Sequence, residues 1–180
     1  MAFNQRKATQ AAAHLLRLRG GRMSYLKLIK LLYLADRAAL LRWGRPVTTD
    51  RYVSMDKGPV VSQILNLATE DPDPGQPHFW NEHISEPGNY EVAVKKDPGR
   101  DEISDAEIAI LEDVFREHGK KSRWELVKFT HKLPEWKDPQ GGSIPIEIRD
   151  ILRLEGKTEL EVRAVEDDFA ELARADYLLR

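Results

Sequence analysis

The sequence contains no cysteine. A thiol nucleophile, a disulfide framework and a Cys-based zinc or iron–sulfur site are therefore excluded. It also lacks an uninterrupted apolar run long enough to span a bilayer, because five charged residues interrupt its most hydrophobic stretch, residues 24–44. The N-terminal segment has neither the apolar run nor the cleavage site of a signal peptide, so we expect a cytoplasmic protein that does not enter a membrane.

Local motifs of catalysis are missing as well. None of the five histidines stands in an H-E-x-x-H or H-x-H pattern, the spacings that would hold a metal within one segment. No serine lies in G-x-S-x-G, and no glycine pattern matches a P-loop or G-x-G-x-x-G. We therefore predict no catalytic residue, no metal and no cofactor, and we expect that the chain is not an enzyme.

What the sequence does contain is a strongly apolar helix at about 24–43. Apolar residues recur there at the i, i+3, i+4 and i+7 spacing of one helix face, and a second apolar series widens that face. Such a helix needs contacts on more than one side. We expect it at the centre of the core, capped by Ser24, ended by Gly44, and with its charged side chains emerging at the edges.

The N-terminal half has signals for one more helix and for short strands. A first helix is predicted from Asn4 to about Leu18, with the central helix following directly after Gly20-Gly21. Strands are expected at about 51–55 and within 79–96, where 79–85 would form a hairpin with 90–94. These would form a small antiparallel sheet. Gly58-Pro59 between them is typical of a helix start.

The C-terminal half is predicted to be helical. Three helices begin with a capping box, in which Ser or Thr is followed three residues later by Glu, at 104/107, 122/125 and 158/161. A further helix is expected at 145–154, and the last helix covers about 159–178. The predicted fold is mainly α (α+β), with one domain over residues 1–180.

Charge is unevenly distributed along the chain. Residues 1–45 hold ten Lys or Arg and one Asp, although the formal net charge of the whole chain is −2. A basic third is compatible with a nucleic-acid-binding regulator. No basic cluster in it is interleaved with stacking aromatics, so we favour basic helices that pack beside acidic ones and expect no nucleic-acid partner.

Two segments are more specific than their structural roles require. Considered singly, their aromatic residues are interpreted as core, His131 as a buried histidine, and Asp36 with Arg37 as an ion pair on the helix surface. The first segment contains Tyr33, Asp36, Arg37, Tyr52, Lys57, Gly58 and Pro59; the second contains Thr130, His131 and Trp136.

In this order and spacing the two segments resemble the Panacea domain, also called the SocA-like antitoxin family. The resemblance is strongest over residues 22–155. Some relatives carry an aromatic residue or His at the position of Lys57. The motifs in series are K-L-L-Y-L-A-D-R, G-R-P, D-R-Y-V, G-P-V, S-D-A-E-I, L-V-K-F-T-H-K-L-P-E-W and I-P-I-E-I.

The resemblance implies a bacterial or phage antitoxin, a non-enzymatic protein that binds and neutralises a toxin encoded beside it. It leaves open the identity of the toxin, self-association into a homodimer, and a role as an adaptor that hands the partner to a protease. A hydrolase with a site near His131 is the remaining alternative.

Two charged faces are candidates for the partner-binding surface. One is the acidic last helix, and the other is a basic face. Trp43 lies beside that basic face and is our candidate aromatic anchor; the alternative is that it covers the helical hairpin. The basic face comprises Arg17, Arg19, Arg22, Arg37 and Arg42.

Overall fold

The computed structural model describes residues 3–70, 78–85 and 88–178. Within these residues there are eight helices and five short strands, so the mainly α (α+β) prediction is confirmed. No helix of this part of the chain is both long and apolar enough to cross a bilayer. In chain order the elements are α1 (Gln5–Leu18), β1 (Arg22–Ser24), α2 (Tyr25–Trp43), β2 (Tyr52–Met55), β3 (Gly58–Val61), α3 (Ser62–Thr69), α4 (Phe79–His83), β4 (Glu91–Ala93), α5 (Asp105–His118), α6 (Arg123–Thr130), β5 (Ile144–Ile146), α7 (Ile148–Leu154) and α8 (Glu159–Leu178).

The α2 helix is central, as predicted. It packs against α1, α3, α5, α6 and α7, and it also contacts β1 and β3. Every residue from Lys27 to Asp36 is buried, which covers the full circumference of the helix. Gly44 ends α2 in the left-handed conformation, with φ of 79°, and its N–H donates to the Leu40 carbonyl.

The two lysines of α2 do not emerge at its edges, so that expectation was wrong. Both side chains are buried. Lys27 Nζ donates to the carbonyl oxygens of Gly119 (2.6 Å) and Lys121 (2.7 Å), just beyond the C-terminal end of α5. Lys30 Nζ donates to the carbonyl of Pro59 at 2.7 Å. Backbone carbonyls contributed by other elements satisfy the ammonium groups, and periodicity along α2 cannot reveal them.

At the N-terminal end, α1 begins at its predicted cap. The Asn4 side chain accepts a hydrogen bond from the Lys7 N–H at 3.0 Å. The central helix does not follow α1 directly, however, because residues 22–24 form β1. Ser24 holds the N-cap position without making a side-chain cap; instead the Tyr25 N–H donates to the Tyr90 carbonyl at 2.9 Å.

The strands form two small antiparallel sheets rather than one. β1 pairs with β4, and β2 lies between β3 and β5. Pairing of 51–55 with a strand of 79–96 was therefore wrong. The hairpin of 79–85 with 90–94 was also wrong, because residues 79–83 form α4; the two stretches are joined by the isolated Ile84–Val94 bridge and by hydrogen bonds between Ser85 and Ala93. Residues 86–87 lie outside the described part of the chain.

Gly58-Pro59 begins β3, not a helix. A tight turn connects β2 to β3, and α3 starts only at Ser62. Asp50 holds that helix start, because its carboxylate accepts the N–H groups of Gln63 (3.0 Å) and Ile64 (2.9 Å). β5 includes Pro145 and lies at the edge of its sheet, where proline is tolerated. Because residues 144–146 form this strand, the helix expected at 145–154 is shorter and begins only at Ile148, as α7.

The capping signals of the C-terminal half are confirmed. Ser104 and Ser122 each accept the backbone N–H three residues on, and the Glu at that position accepts theirs. The Thr158 N–H donates to Glu161 at 2.8 Å, and the Glu161 N–H donates to the Thr158 hydroxyl. These reciprocal bonds satisfy N–H groups that helix starts otherwise leave unpaired.

The basic N-terminal third is largely neutralised within the fold. Six of its ten cations form ion pairs with Asp or Glu from later segments, and Lys27 and Lys30 are buried. The basic helices therefore pack beside acidic segments, as expected. The paired cations are Arg6, Lys7, Arg17, Arg22, Arg37 and Arg45.

Candidate functional site

The two motif segments meet where the turn before β3 lies against α2 and the end of α6. Gly58 there has φ of 90°, and a Cβ built on it would lie 2.6 Å from Thr130 Oγ1, 3.0 Å from Lys30 Nζ and 3.2 Å from His131 Cδ2. Both the backbone conformation and the close approach require glycine. Pro59, the next residue, is buried and offers its carbonyl to Lys30.

Two buried polar groups fix this junction. Lys30 is fully buried, and desolvation lowers its pKa to about 7. The Thr130 hydroxyl donates back to the Leu126 carbonyl at 2.9 Å, which holds Oγ1 in place against the turn. The motif residues thus fasten the β2–β3 turn to two helices.

His131 and Trp136 extend the junction. Their rings stack with centroids 4.2 Å apart, and Trp136 Nε1 donates to the Met55 carbonyl at 3.1 Å. His131 Nε2 is buried and has no hydrogen-bond partner among the described residues. Both residues are half-buried, so the stack covers the end of β2 rather than filling the interior.

Asp36 is a buried carboxylate, and its interpretation as a surface partner of Arg37 was wrong. It accepts hydrogen bonds from the N–H (2.8 Å) and hydroxyl of Thr48 and from the hydroxyl of Tyr52 (3.1 Å). Burial raises its pKa to about 7, although these hydrogen bonds oppose the shift. Tyr33 packs edge-to-face on Tyr52, with centroids 5.5 Å apart, and both rings are core residues, as predicted.

Arg37 pairs instead with Glu135. Its Nε lies 2.7 Å from Glu135 Oε1, which also accepts the Tyr33 hydroxyl at 2.7 Å, and its Nη2 contacts Glu155. Sequence patterns alone do not single out Glu135. They do show that Tyr33 and Arg37 lie one turn apart on the same face of α2, which indicates that one acceptor can bind both side chains.

The structure has surface cavities of about 250 and 290 Å³, and neither is lined by His131 or Lys30. Glu135 lines the larger cavity, but its carboxylate is already bonded to Tyr33 and Arg37. In the described ranges no group of three or more His, Asp or Glu side chains is placed to hold a metal ion. The cleft that a hydrolase near His131 would need is therefore not among these cavities.

The smaller cavity is different in character and lies at the N-terminal end of α2. We call it the α2 pocket; three aromatic rings and two cations line it, together with Ser24 and Leu26. The rings are Tyr25, Tyr90 and Trp124, and the cations are Lys57 and Arg123. Of these five residues, sequence reasoning selected only Lys57, because they come from four separate segments.

A family model described as "Antitoxin SocA-like, Panacea domain" matches residues 28–137, more than half of the chain. The chain belongs to this family. The matched Panacea region begins in α2 and ends one residue after Trp136, so it includes both motif segments. No curated protein and no solved structure matches the chain.

Within the Panacea region, Trp43 lies far from the motif junction. It ends α2, the residue is 39% exposed, and its Nε1 donates to the Arg45 carbonyl at 2.8 Å. Arg42 lies over its ring at 5.8 Å. Of the predicted basic face, Arg37 turns inward to Glu135, while Arg17 and Arg22 pair with Asp97 and Glu91. Whether Trp43 anchors a partner stays a prediction.

Proposed function

We propose that this protein is an antitoxin that neutralises a partner toxin by binding it directly in the cytoplasm. The observation that carries the proposal is the match to the SocA-like antitoxin family over residues 28–137. The structure adds a physical reason. The titratable motif residues Lys30, Asp36 and Glu135 are buried and hydrogen-bonded inside the fold, which suits support of a binding surface better than turnover of a substrate.

The ion pairs of residues 1–45 argue against the nucleic-acid alternative. A protein that binds nucleic acid through phosphate contacts needs cations that are free to replace counterions. Here most cations of the basic third are bonded to carboxylates or buried. Recognition of another protein does not have this requirement, since a few aromatic or Arg anchors supply most of the affinity.

Expression of the reading frame adjacent to this gene, with and without this protein, tests the proposal. We expect the adjacent product alone to arrest growth and co-expression to restore it. A destabilised variant, Gly58→Val, serves as the control and should lose both folding and protection, because a β-branched side chain cannot occupy that turn.

Two results would contradict these expectations. Growth arrest that persists with wild-type protein at matched expression would refute neutralisation of that product. A Gly58→Val variant that folds normally and still fails to protect would instead make the β2–β3 turn part of the interface.

A further inference from the structure

Large aromatic side chains are exposed together at the α2 pocket. Tyr90 is 65% exposed and Trp124 is 50% exposed. Tyr25, at the first position of α2, packs beside Tyr90 with ring centroids 6.4 Å apart. Aromatic residues with one apolar and one polar end are enriched where proteins meet partners, so this convergence of rings from three segments marks a recognition surface.

The backbone presents Tyr90 at an energetic cost. Asn89 and Tyr90 have φ of 53° and 64°, and they form a two-residue turn closed by reciprocal hydrogen bonds between Gly88 and Glu91. Turns of this kind favour glycine at the second position, because a bulky side chain with positive φ is strained. The Tyr90 carbonyl is also fixed, since it accepts the Tyr25 N–H. A rigid, strained and exposed tyrosine is better explained by contact with a partner than by folding.

The pocket is also positively charged. The Arg123 guanidinium lies 5.7 Å from the Tyr90 ring centroid and 5.2 Å from that of Trp124, and Lys57 Nζ lies 6.0 Å from the latter. An arginine guanidinium carries five N–H donors in a planar fork, which binds a carboxylate bidentately. Glu125, the nearest acidic neighbour along α6, is engaged in the capping box with Ser122.

The N-terminal end of α2 forms another wall of the pocket. Ser24 lines the pocket, and its hydroxyl oxygen is buried and has no hydrogen-bond partner among the described residues. It stands at the start of a 19-residue helix, where the helix dipole places partial positive charge. Together with Lys57 and Arg123, this end of α2 favours a negatively charged group.

The size of the pocket selects the kind of anion. Its volume of about 250 Å³ accommodates one or two side chains rather than a track of successive nucleotides. The formal net charge of the chain is −2, and most cations of residues 1–45 are paired or buried, so a polyanion would meet little additional attraction. The charge complement of this small basic site is a carboxylate on a protein.

We infer that the α2 pocket docks the partner toxin through an acidic segment of the toxin, an inference that rests on the proposed function. A carboxylate of that segment binds Arg123 and Lys57. An apolar side chain next to it packs on Trp124 and Tyr90.

Calorimetric titration of the purified adjacent-gene product into this protein, in about 150 mM salt, tests the inference. Trp124→Ala and Arg123→Glu are each expected to raise Kd by at least about 30-fold. Leu154→Ala is the control, since Leu154 at the end of α7 is 51% exposed, much like Trp124, and does not line the α2 pocket. We expect Leu154→Ala to bind like wild type. Trp43→Ala tests the competing anchor, which lies at the opposite end of α2, roughly 28 Å away at 1.5 Å per residue. Circular dichroism should show that all four variants fold.

The outcomes separate the pocket from the proposed function. Wild-type protein that does not bind the product refutes direct neutralisation, and the pocket assignment fails with it. Wild-type binding that Trp124→Ala and Arg123→Glu leave unchanged overturns the pocket alone. Loss of binding in Trp43→Ala only would place the interface at the C-terminal end of α2.

Two other occupants are tested in parallel. A fluorescent single-stranded oligonucleotide of about 12 bases, followed by anisotropy, reports on nucleic acid, and sedimentation equilibrium reports on a second copy of this chain. We expect no submicromolar binding of the oligonucleotide and no dimer that Trp124→Ala dissociates. Submicromolar oligonucleotide binding, or a dimer that Trp124→Ala dissociates, would overturn the assignment of the pocket to an acidic segment of the toxin.

Discussion

Substitution of Gly58 by alanine tests the packing of the motif junction. Two physical effects add. The backbone has φ of 90°, which costs an L-residue about 1–3 kcal/mol. The new Cβ would also lie 2.6 Å from Thr130 Oγ1 and 3.0 Å from Lys30 Nζ. Both atoms are held by hydrogen bonds, to the carbonyls of Leu126 and Pro59, so they cannot move aside freely.

The steric overlap adds about 1–3 kcal/mol, as overpacking of a filled core generally does. We therefore expect Gly58→Ala to lower the free energy of unfolding by about 2–6 kcal/mol, a large part of the stability of an ordinary domain. Urea denaturation followed by tryptophan fluorescence and by circular dichroism measures this loss.

Gly21→Ala is the matched control. Gly21 has φ of 93°, but a Cβ there would meet no atom within 4 Å. It therefore reports the backbone cost alone, and the difference between the two variants is the cost of overlap. Thr130→Ala, which removes Oγ1, should recover part of that difference in combination with Gly58→Ala. Equal losses in Gly58→Ala and Gly21→Ala would refute the close packing of the junction.

Three further predictions concern the core and its buried charges. Leu32→Ala should remove a fully buried side chain from α2 and lower the free energy of unfolding by about 2–5 kcal/mol in urea denaturation. Lys30 has a pKa lowered from 10.5 to about 7, so above about pH 7 the unfolded chain binds more protons than the folded protein and stability rises with pH. From about pH 7 to about pH 9 the stability of wild type relative to Lys30→Met should therefore increase by about 2 kcal/mol, measured by denaturation at each pH. Glu135→Ala leaves Arg37 and the Tyr33 hydroxyl without their acceptor and should cost about 3–5 kcal/mol, whereas Glu155→Ala, at a side chain that is 35% exposed, should cost much less.

For each of these three predictions, one result would contradict the reasoning. An unchanged urea midpoint for Leu32→Ala would mean that Leu32 faces solvent. A stability difference between wild type and Lys30→Met that does not vary with pH would show that Lys30 keeps its ordinary pKa. Equal effects of Glu135→Ala and Glu155→Ala would remove Glu135 from the centre of its network.

The features that the sequence predicts well are those encoded by neighbours along the chain. The three capping boxes join residues three apart, so Ser104, Ser122 and Thr158 mark helix starts without tertiary information. The position of α2 at the centre also follows locally, since a helix that is apolar around most of its circumference has to be covered on several sides.

The features that the sequence predicts poorly depend on contacts between segments that are far apart along the chain. Three-residue strands such as β1 and β4 are too short to show an alternating pattern, so their pairing cannot be read from the chain. Lys27 and Lys30 look like surface cations until α5 and β3 supply the carbonyls that satisfy them. At Gly58, proline in the next position favours a helix start, and only the structure shows the tight turn.

In the candidate site, too, some residues could be selected from the sequence and others could be found only from the structure. The two motif segments do meet in the structure, but most of their residues serve the interior, as Asp36 and Arg37 show, and their role in partner binding stays a prediction. The exposed aromatic cluster was not found because Tyr25, Tyr90 and Trp124 are unremarkable within their own segments. Their proximity arises from the pairing of β1 with β4 and from the packing of α6 beside α2.

Direct neutralisation is tested most simply with two purified proteins. The adjacent-gene product and this protein should form a stoichiometric complex that elutes as one species in size-exclusion chromatography, with a submicromolar Kd by calorimetry and with the activity of the toxin blocked in proportion to its occupancy. Rescue of growth in cells, combined with no detectable complex between the folded purified proteins, would contradict the account.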